Sequence, residues 1–196
     1  FPGAMKVAQA WNPERRGGDL GASRMGMWWQ LRQLLDRAKN YNESWTAFEK
    51  GQTRIKPEKK AELENMRGLF QHKYPVIIHT ADPRDVAGTV RMFHDEYHLP
   101  CIISHGEFGA YKVAEEIAKR DLPANIGPRL YDFRIMVDEG KWLGIATMYA
   151  DAGVKHLSLN TDSPVVPQED LCFQASMAVR FGLETLRFRL ETLRFR

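Results

Sequence analysis

An apolar, β-branched run that ends on a histidine is the feature that most limits what this chain can become. Residues Pro75–Asp82 read Pro-Val-Ile-Ile-His-Thr-Ala-Asp, a buried-strand signal that delivers His79 to the strand's C-terminal end. The pattern returns at Pro100–His105, Pro-Cys-Ile-Ile-Ser-His. It returns in altered form at Lys155–Asp162, where the strand closes on a carboxylate. A helical stretch follows each strand, so His79, His105 and Asp162 are expected at one end of a sheet. That is the end at which α/β barrels keep their chemistry.

The elements before and after fit this scheme. Gly3–Ala10 reads as a strand, followed by a polar loop through Asn12-Pro13 and Gly17-Gly18. Met27–Tyr41 is an amphipathic helix, with Trp28, Leu31, Leu35 and Ala38 at spacings of three and four. Asn42–Lys56 reads as a surface connection, and Pro57 as the first residue of a second helix with Leu63, Met66 and Phe70 inward. Asp82 has the chemistry of a helix cap before Pro83, and Val86, Val90, Phe93 and Tyr97 would be that helix's buried face. Ala110–Arg120 follows the second histidine strand, then a short strand Pro123–Ile126 ending in Gly127-Pro128-Arg129. A loop over Leu130–Lys141 leads to a helix bearing Trp142, Ile145 and Tyr149 and stopped by Gly153. His156–Leu159 is the last strand. Gln168–Phe181 is a closing helix with Leu171, Ala175 and Ala178 inward and Gly182 as its stop. Strands alternating with helices mean βαβ units and a parallel sheet. Four strands are clear, five with the N-terminal one. A closed eight-stranded barrel needs about 250 residues, so the expected fold is a partial TIM (β/α)8 barrel, roughly its strands 4 to 8.

Bulk properties narrow the partners. The 196 residues are 43% hydrophobic, enough for one core, with residues 1–183 as the barrel portion. Near-balanced charge (+3) with no basic stripe interleaved with aromatics argues against nucleic acid, and no apolar run approaches a membrane span. Cys101 and Cys172 match no zinc spacing and read as two buried thiols. The compartment is left open. The tail over residues 184–196 belongs to a tandem seven-residue repeat, Leu183–Arg189 and Leu190–Arg196, and reads as a duplicated end without a function. A barrel edge left open exposes apolar surface and would suit a homo-oligomer.

Imidazoles and carboxylates are the usual ligands of zinc and similar divalent ions, and such an ion turns bound water into a hydroxide nucleophile near neutral pH. His79, His105 and Asp162 are the candidate ligands. Asp82, three residues after His79, reads either as a cap or as a base orienting water beside the metal. Glu107 reads as a solvated loop residue or a substrate contact. Lys6 reads as a snorkelling side chain or a group at the barrel mouth. His72, His94, His98 and His156 read as surface residues. A doubly wound binding domain is the weaker scheme, since no turn supplies its glycine-rich phosphate loop.

With these residues in view, the chain from Phe1 to Leu183 resembles the metal-dependent amidohydrolases, in their imidazolonepropionase-like branch. Pro75–His79 resembles that family's fifth-strand histidine motif, and Ile102–Glu107 with Tyr111-Lys112 its sixth-strand segment. Gly127-Pro128-Arg129 is similar to the turn after strand seven. Asn160–Pro167, Asn-Thr-Asp-Ser-Pro-Val-Val-Pro, is similar to the eighth-strand aspartate segment and is the most specific match. Phe1–Lys6, Asn12-Pro13 and Ser23–Gly26 resemble the region after the fourth strand. The resemblance implies a hydrolase of carbon–nitrogen bonds other than peptide bonds, in small cyclic amides or amidines. Asp162 would bind metal and shuttle a proton. His79 would be a ligand, and His105 a second ligand or a residue polarising the substrate. The family's first strand carries a His-x-His pair, and none occurs in these 196 residues. The expectation is therefore an internal fragment, inactive alone; the competing one is a non-catalytic half-barrel or assembly domain.

Overall fold

The computed structural model describes residues 3–9, 23–131 and 144–184. Its five strands are β1 (Met5–Ala8), β2 (Val76–Thr80), β3 (Cys101–His105), β4 (Ala124–Ile126) and β5 (Leu157–Leu159). They form one sheet in the order β1-β2-β3-β4-β5, with parallel pairing. A doubly wound sheet reverses its strand order at a switch point, whereas sequential order is what a barrel uses. The fold is α/β, consistent with part of a barrel. The loops at Asn12-Pro13 and Gly17-Gly18, Trp142 with most of the Leu130–Lys141 segment, and most of the terminal repeat lie outside the described residues. Among the described residues no helix is long and apolar enough to cross a membrane.

The chain forms two compact units, Phe1–His79 with Gly88–Ile102, and Thr80–Ala87 with Ile103–Arg196. In the first, β1 pairs with β2 from Met5↔Val76 to Ala8↔His79. Helix α1 (Arg24–Glu49) begins at Ser23, whose hydroxyl accepts from Gly26 N–H at 3.1 Å. It runs eight residues beyond the expected end, so Asn42–Glu49 is helix and not a surface connection. Packing on α2 (Ala61–Phe70) overrides the weak pattern. Trp45 stands edge-on to Tyr41 and Phe48, Arg67 lies 5.2 Å from the Trp45 ring centre, and Arg67 pairs with Glu49 at 2.7 Å. Tyr41 hydroxyl donates to Glu64 and accepts from Lys60 N–H, and Lys60 is the N-cap of α2. That anchor starts the helix at Ala61, so Pro57 is not its first residue as expected. Leu63, Met66 and Leu69 are the buried positions, with Leu69 in the place expected of Phe70.

Helix α3 (Pro83–Thr89) continues as a π-helical stretch, Val90–Glu96. Val86, Val90, Met92 and Phe93 are buried, while Tyr97 keeps a rim position and donates to Asp36 at 2.7 Å. The second unit carries a 3-10 turn Ala110–Val113, then α4 (Ala114–Ala118), α5 (Ile145–Asp151) and α6 (Leu171–Arg180). Five of seven α5 residues are buried, Ile145 and Tyr149 completely, as a helix enclosed on all sides requires. Gly153 (φ 92°) and Gly182 (φ 104°) act as the expected helix stops. On α6 the inward residues are Gln174 and Ala178, whereas Leu171, expected inward, is 42% exposed. Gln174 amide donates to Pro128 O at 3.2 Å, while Leu171, three residues earlier on the same face, is the first residue of the helix and is left exposed. Cys172 is exposed as well, against the expectation of two buried thiols; Cys101 is buried.

Candidate functional site at the ends of β3, β4 and β5

The last residues of three neighbouring strands stand in register, His105↔Ile126 and Ile126↔Leu159. The loops that leave them therefore start side by side: Gly106-Glu107, Gly127-Pro128-Arg129 and Asn160-Thr161-Asp162. All belong to the second unit.

His105 is buried at φ 75°, a left-handed conformation that a non-glycine residue holds only when its surroundings enforce it. Gly106, Phe108 and Gly109 follow with positive φ as well. Two bonds enforce the bend: Gly106 N–H donates to Thr80 O at 3.3 Å, and Tyr149 hydroxyl donates to Gly106 O at 2.8 Å. A side chain at Gly106 would meet that hydroxyl at 2.3 Å. His105 Nδ1 lies 2.7 Å from Gly127 O. A carbonyl can only accept, so Nδ1 carries the proton, and in the neutral ring Nε2 holds the lone pair. That is the tautomer a metal ligand or a proton acceptor needs.

The turn after β4 is gripped from several directions. Gly127 adopts φ 133°, and a Cβ there would lie 2.2 Å from Asn160 O, so only glycine fits. Asn160 N–H donates to Ile126 O at 2.9 Å, and its amide donates to Asn125 O at 3.0 Å. Glu107 accepts the Arg129 backbone N–H. Glu107 is 7% exposed, so it is not the solvated loop glutamate that its position suggested. Burial raises its pKa; the Arg129 N–H bond and the charges of His105 and Arg129 oppose this, and Asp162 adds to it. One buried carboxylate thus feels His105, Arg129 and Asp162 together.

Asp162 is exposed at φ 47°, a region aspartate tolerates, and its carbonyl accepts from Val165 N–H at 2.9 Å. Asp82 performs the capping role: Oδ1 accepts from Arg84 N–H at 2.8 Å and Asp85 N–H at 3.1 Å, and Oδ2 pairs with Arg84 at 3.3 Å. His79 belongs to the first unit, where it stands opposite Ala8 and its carbonyl accepts from Gln9 N–H at 3.3 Å. Lys6, His72, His98 and His156 are exposed; His94 is half-exposed beside Asp95. Among the described residues no three of the His, Cys, Asp and Glu side chains form a group that could hold a metal ion. The donor chemistry and the His105 tautomer suit a divalent ion, but these residues do not by themselves make a coordination shell.

Comparison with protein-family models and with curated proteins finds no match. Among solved structures, a crystal structure of an amidohydrolase from Thermotoga maritima MSB8 is similar, with a TM-score of 0.79 and 25% identity. The fold is amidohydrolase-like. The likeness covers 95% of this chain and 48% of that one, so this chain spans about half its neighbour's length. Sequence reasoning singled out His105 and Asp162 and underrated Glu107. Tyr149 and Gln174 it saw only as helix residues, since the carbonyls they hold lie on distant loops.

Proposed function

We propose that this chain carries part of the active site of a hydrolase acting on carbon–nitrogen bonds other than peptide bonds, in small cyclic amides or amidines, with water as the nucleophile. The observation that supports it most is the convergence, on three adjacent strand ends, of His105 in a fixed tautomer with Glu107, Arg129 and Asp162. The amidohydrolase neighbour supports the same reaction class. The imidazolonepropionase-like branch rests on the sequence resemblance, of which the Asn160–Pro167 segment is the most specific part.

In this reading Asp162, exposed and on a loop end, moves a proton from attacking water to the leaving nitrogen. His105 turns its Nε2 lone pair to the reacting group or a ligand, held there by Gly127 O. A divalent ion, zinc by the chemistry of imidazole and carboxylate ligands, would supply the Lewis acid, with His105 and Asp162 as the donors that the second unit offers. The described residues do not complete its shell. Asp82 is assigned to capping, since both carboxylate oxygens are engaged there. The same incomplete shell favours a second reading, in which this chain alone is a non-catalytic half-barrel.

The test is an assay of the chain, with and without added zinc, against a panel of lactams, hydantoins and cyclic amidines. Turnover that falls at least about 10³-fold in Asp162→Asn and His105→Ala supports the hydrolase. Turnover indifferent to both variants overturns the assigned roles. No turnover on any member, with a folded protein, leaves the non-catalytic reading for this chain.

A further inference from the structure

Two buried side chains on helices hold the peptides on either side of the His105 hydrogen bond. Tyr149, completely buried on α5, donates its hydroxyl to Gly106 O at 2.8 Å. Gln174, 2% exposed on α6, donates its amide to Pro128 O at 3.2 Å. The gripped carbonyls belong to the residues next in sequence to His105 and to Gly127. Those two are the partners in the 2.7 Å contact through His105 Nδ1. In both cases a helix reaches back past the strand it follows. α5 follows β4 and holds the loop after β3, and α6 follows β5 and holds the turn after β4.

Each bond has work to do. His105 keeps a left-handed φ, which relaxes unless its surroundings prevent it. With Gly106 O released, the ring is free to leave Gly127 O, and its proton can then sit on either nitrogen. Burial, and then the charge of Glu107, raise the Tyr149 pKa, so the phenol remains a donor at neutral pH and somewhat above. Gln174 Oε1 is buried without a hydrogen-bond partner among the described residues, a cost that an apolar side chain of the same size avoids. Packing alone therefore does not call for glutamine there. We propose that Tyr149 and Gln174 are positioning residues, a pair of clamps that fixes the His105 proton on Nδ1 and leaves Nε2 bare. This deepens the hydrolase reading and rests on it for the use made of Nε2; the clamp itself does not need the reaction.

The test is nitrogen-15 NMR of metal-free protein labelled at histidine, in mildly alkaline buffer where imidazole is neutral. The His105 signals are assigned by their loss in His105→Gln. Wild type should show a protonated Nδ1 and a bare Nε2. Tyr149→Phe, and separately Gln174→Met, should each move the tautomer ratio at least about fivefold towards Nε2–H, the worth of one net hydrogen bond. Thr147 supplies the control: on the same α5 it donates its hydroxyl to Phe181 O at 3.0 Å, a bond to neither loop. Thr147→Val should leave the ratio as in wild type. A wild-type ring without a preferred tautomer overturns the proposal, as does an unchanged ratio in either folded clamp variant or an equal shift in Thr147→Val. Should one clamp variant lose its circular dichroism spectrum, the other decides. A tautomer lost in both variants, with no hydrolysis by wild type, keeps the clamp and removes the reaction. Hydrolysis that depends on His105, with the tautomer unmoved in Tyr149→Phe, does the reverse.

Discussion

Gly127 is the residue on which the site's geometry turns, because its carbonyl sets the His105 tautomer and its missing side chain admits Asn160 O. Gly127→Ala should cost about 3 kcal/mol or more, combining a forbidden φ with a backbone clash. Urea denaturation measures this, and a midpoint within error of wild type would refute the packing described. Cys101 gives a pH-dependent case. Burial pushes its thiol up to about 12, against about 8.5 for a free cysteine. The folded chain therefore keeps a proton that the unfolded chain releases between those values. Its contribution to stability is intact below about pH 8.5 and is lost as pH rises through that window, with a slope of at most about 1.4 kcal/mol per pH unit. Cys101→Ala should flatten the decline between pH 7.5 and pH 10 relative to wild type. One thiol, Cys172, should react with a disulfide reagent in the native protein and both only in denaturant. Local sequence does not separate the two thiols, since both sit beside apolar residues; Cys101 is covered as part of β3, the middle strand of the sheet, whereas Cys172 lies in the first turn of α6 and is exposed.

At the scale of elements, strands were legible, and so were the helix stops at Gly153 and Gly182, but the end of α1 and the start of α2 were not. Val76–His79 and Cys101–Ser104 stood out because β-branched runs introduced by proline have few other uses, and Pro123–Ile126 by its place between a helical stretch and the Gly127-Pro128 turn. The second half of α1 was hidden, because its partners are on α2: Arg67 on Trp45, Glu64 on Tyr41. Such contacts leave no local period to read. Trp45→Ala should therefore lower stability by about 2 kcal/mol and reduce ellipticity at 222 nm as the helix frays back towards Tyr41. A variant with full ellipticity and an unchanged urea midpoint would mean that Asn42–Glu49 is held by something else. The exposure of Leu171 was hidden too, since its spacing from Gln174 and Ala178 marks it as inward and only its place at the first position of α6 leaves it uncovered.

For the whole molecule, the alternation of strand and helix carried the fold class, and the amidohydrolase neighbour agrees with it. The site was half legible. Histidines and an aspartate at strand ends announce themselves, while a buried glutamate in a loop looks like any solvated one. The chain passes between its two units three times, at residues 79–80, 87–88 and 102–103, so neither unit is one uninterrupted segment. Trp28, Trp29 and Trp45 belong to the first. Tryptophan fluorescence and far-UV ellipticity should then follow one coincident urea transition. Separate midpoints would mean that the division by packing is also one by energy.

The sequential order of the sheet bears on how the protein is made. On a ribosome each new strand from β3 onward can join a neighbour already in place, one βα unit after another. β1 is the exception. It waits through α1 and α2 for β2 to emerge, longer than any other pair of neighbouring strands in this sheet, and is the more exposed to wrong partners until then.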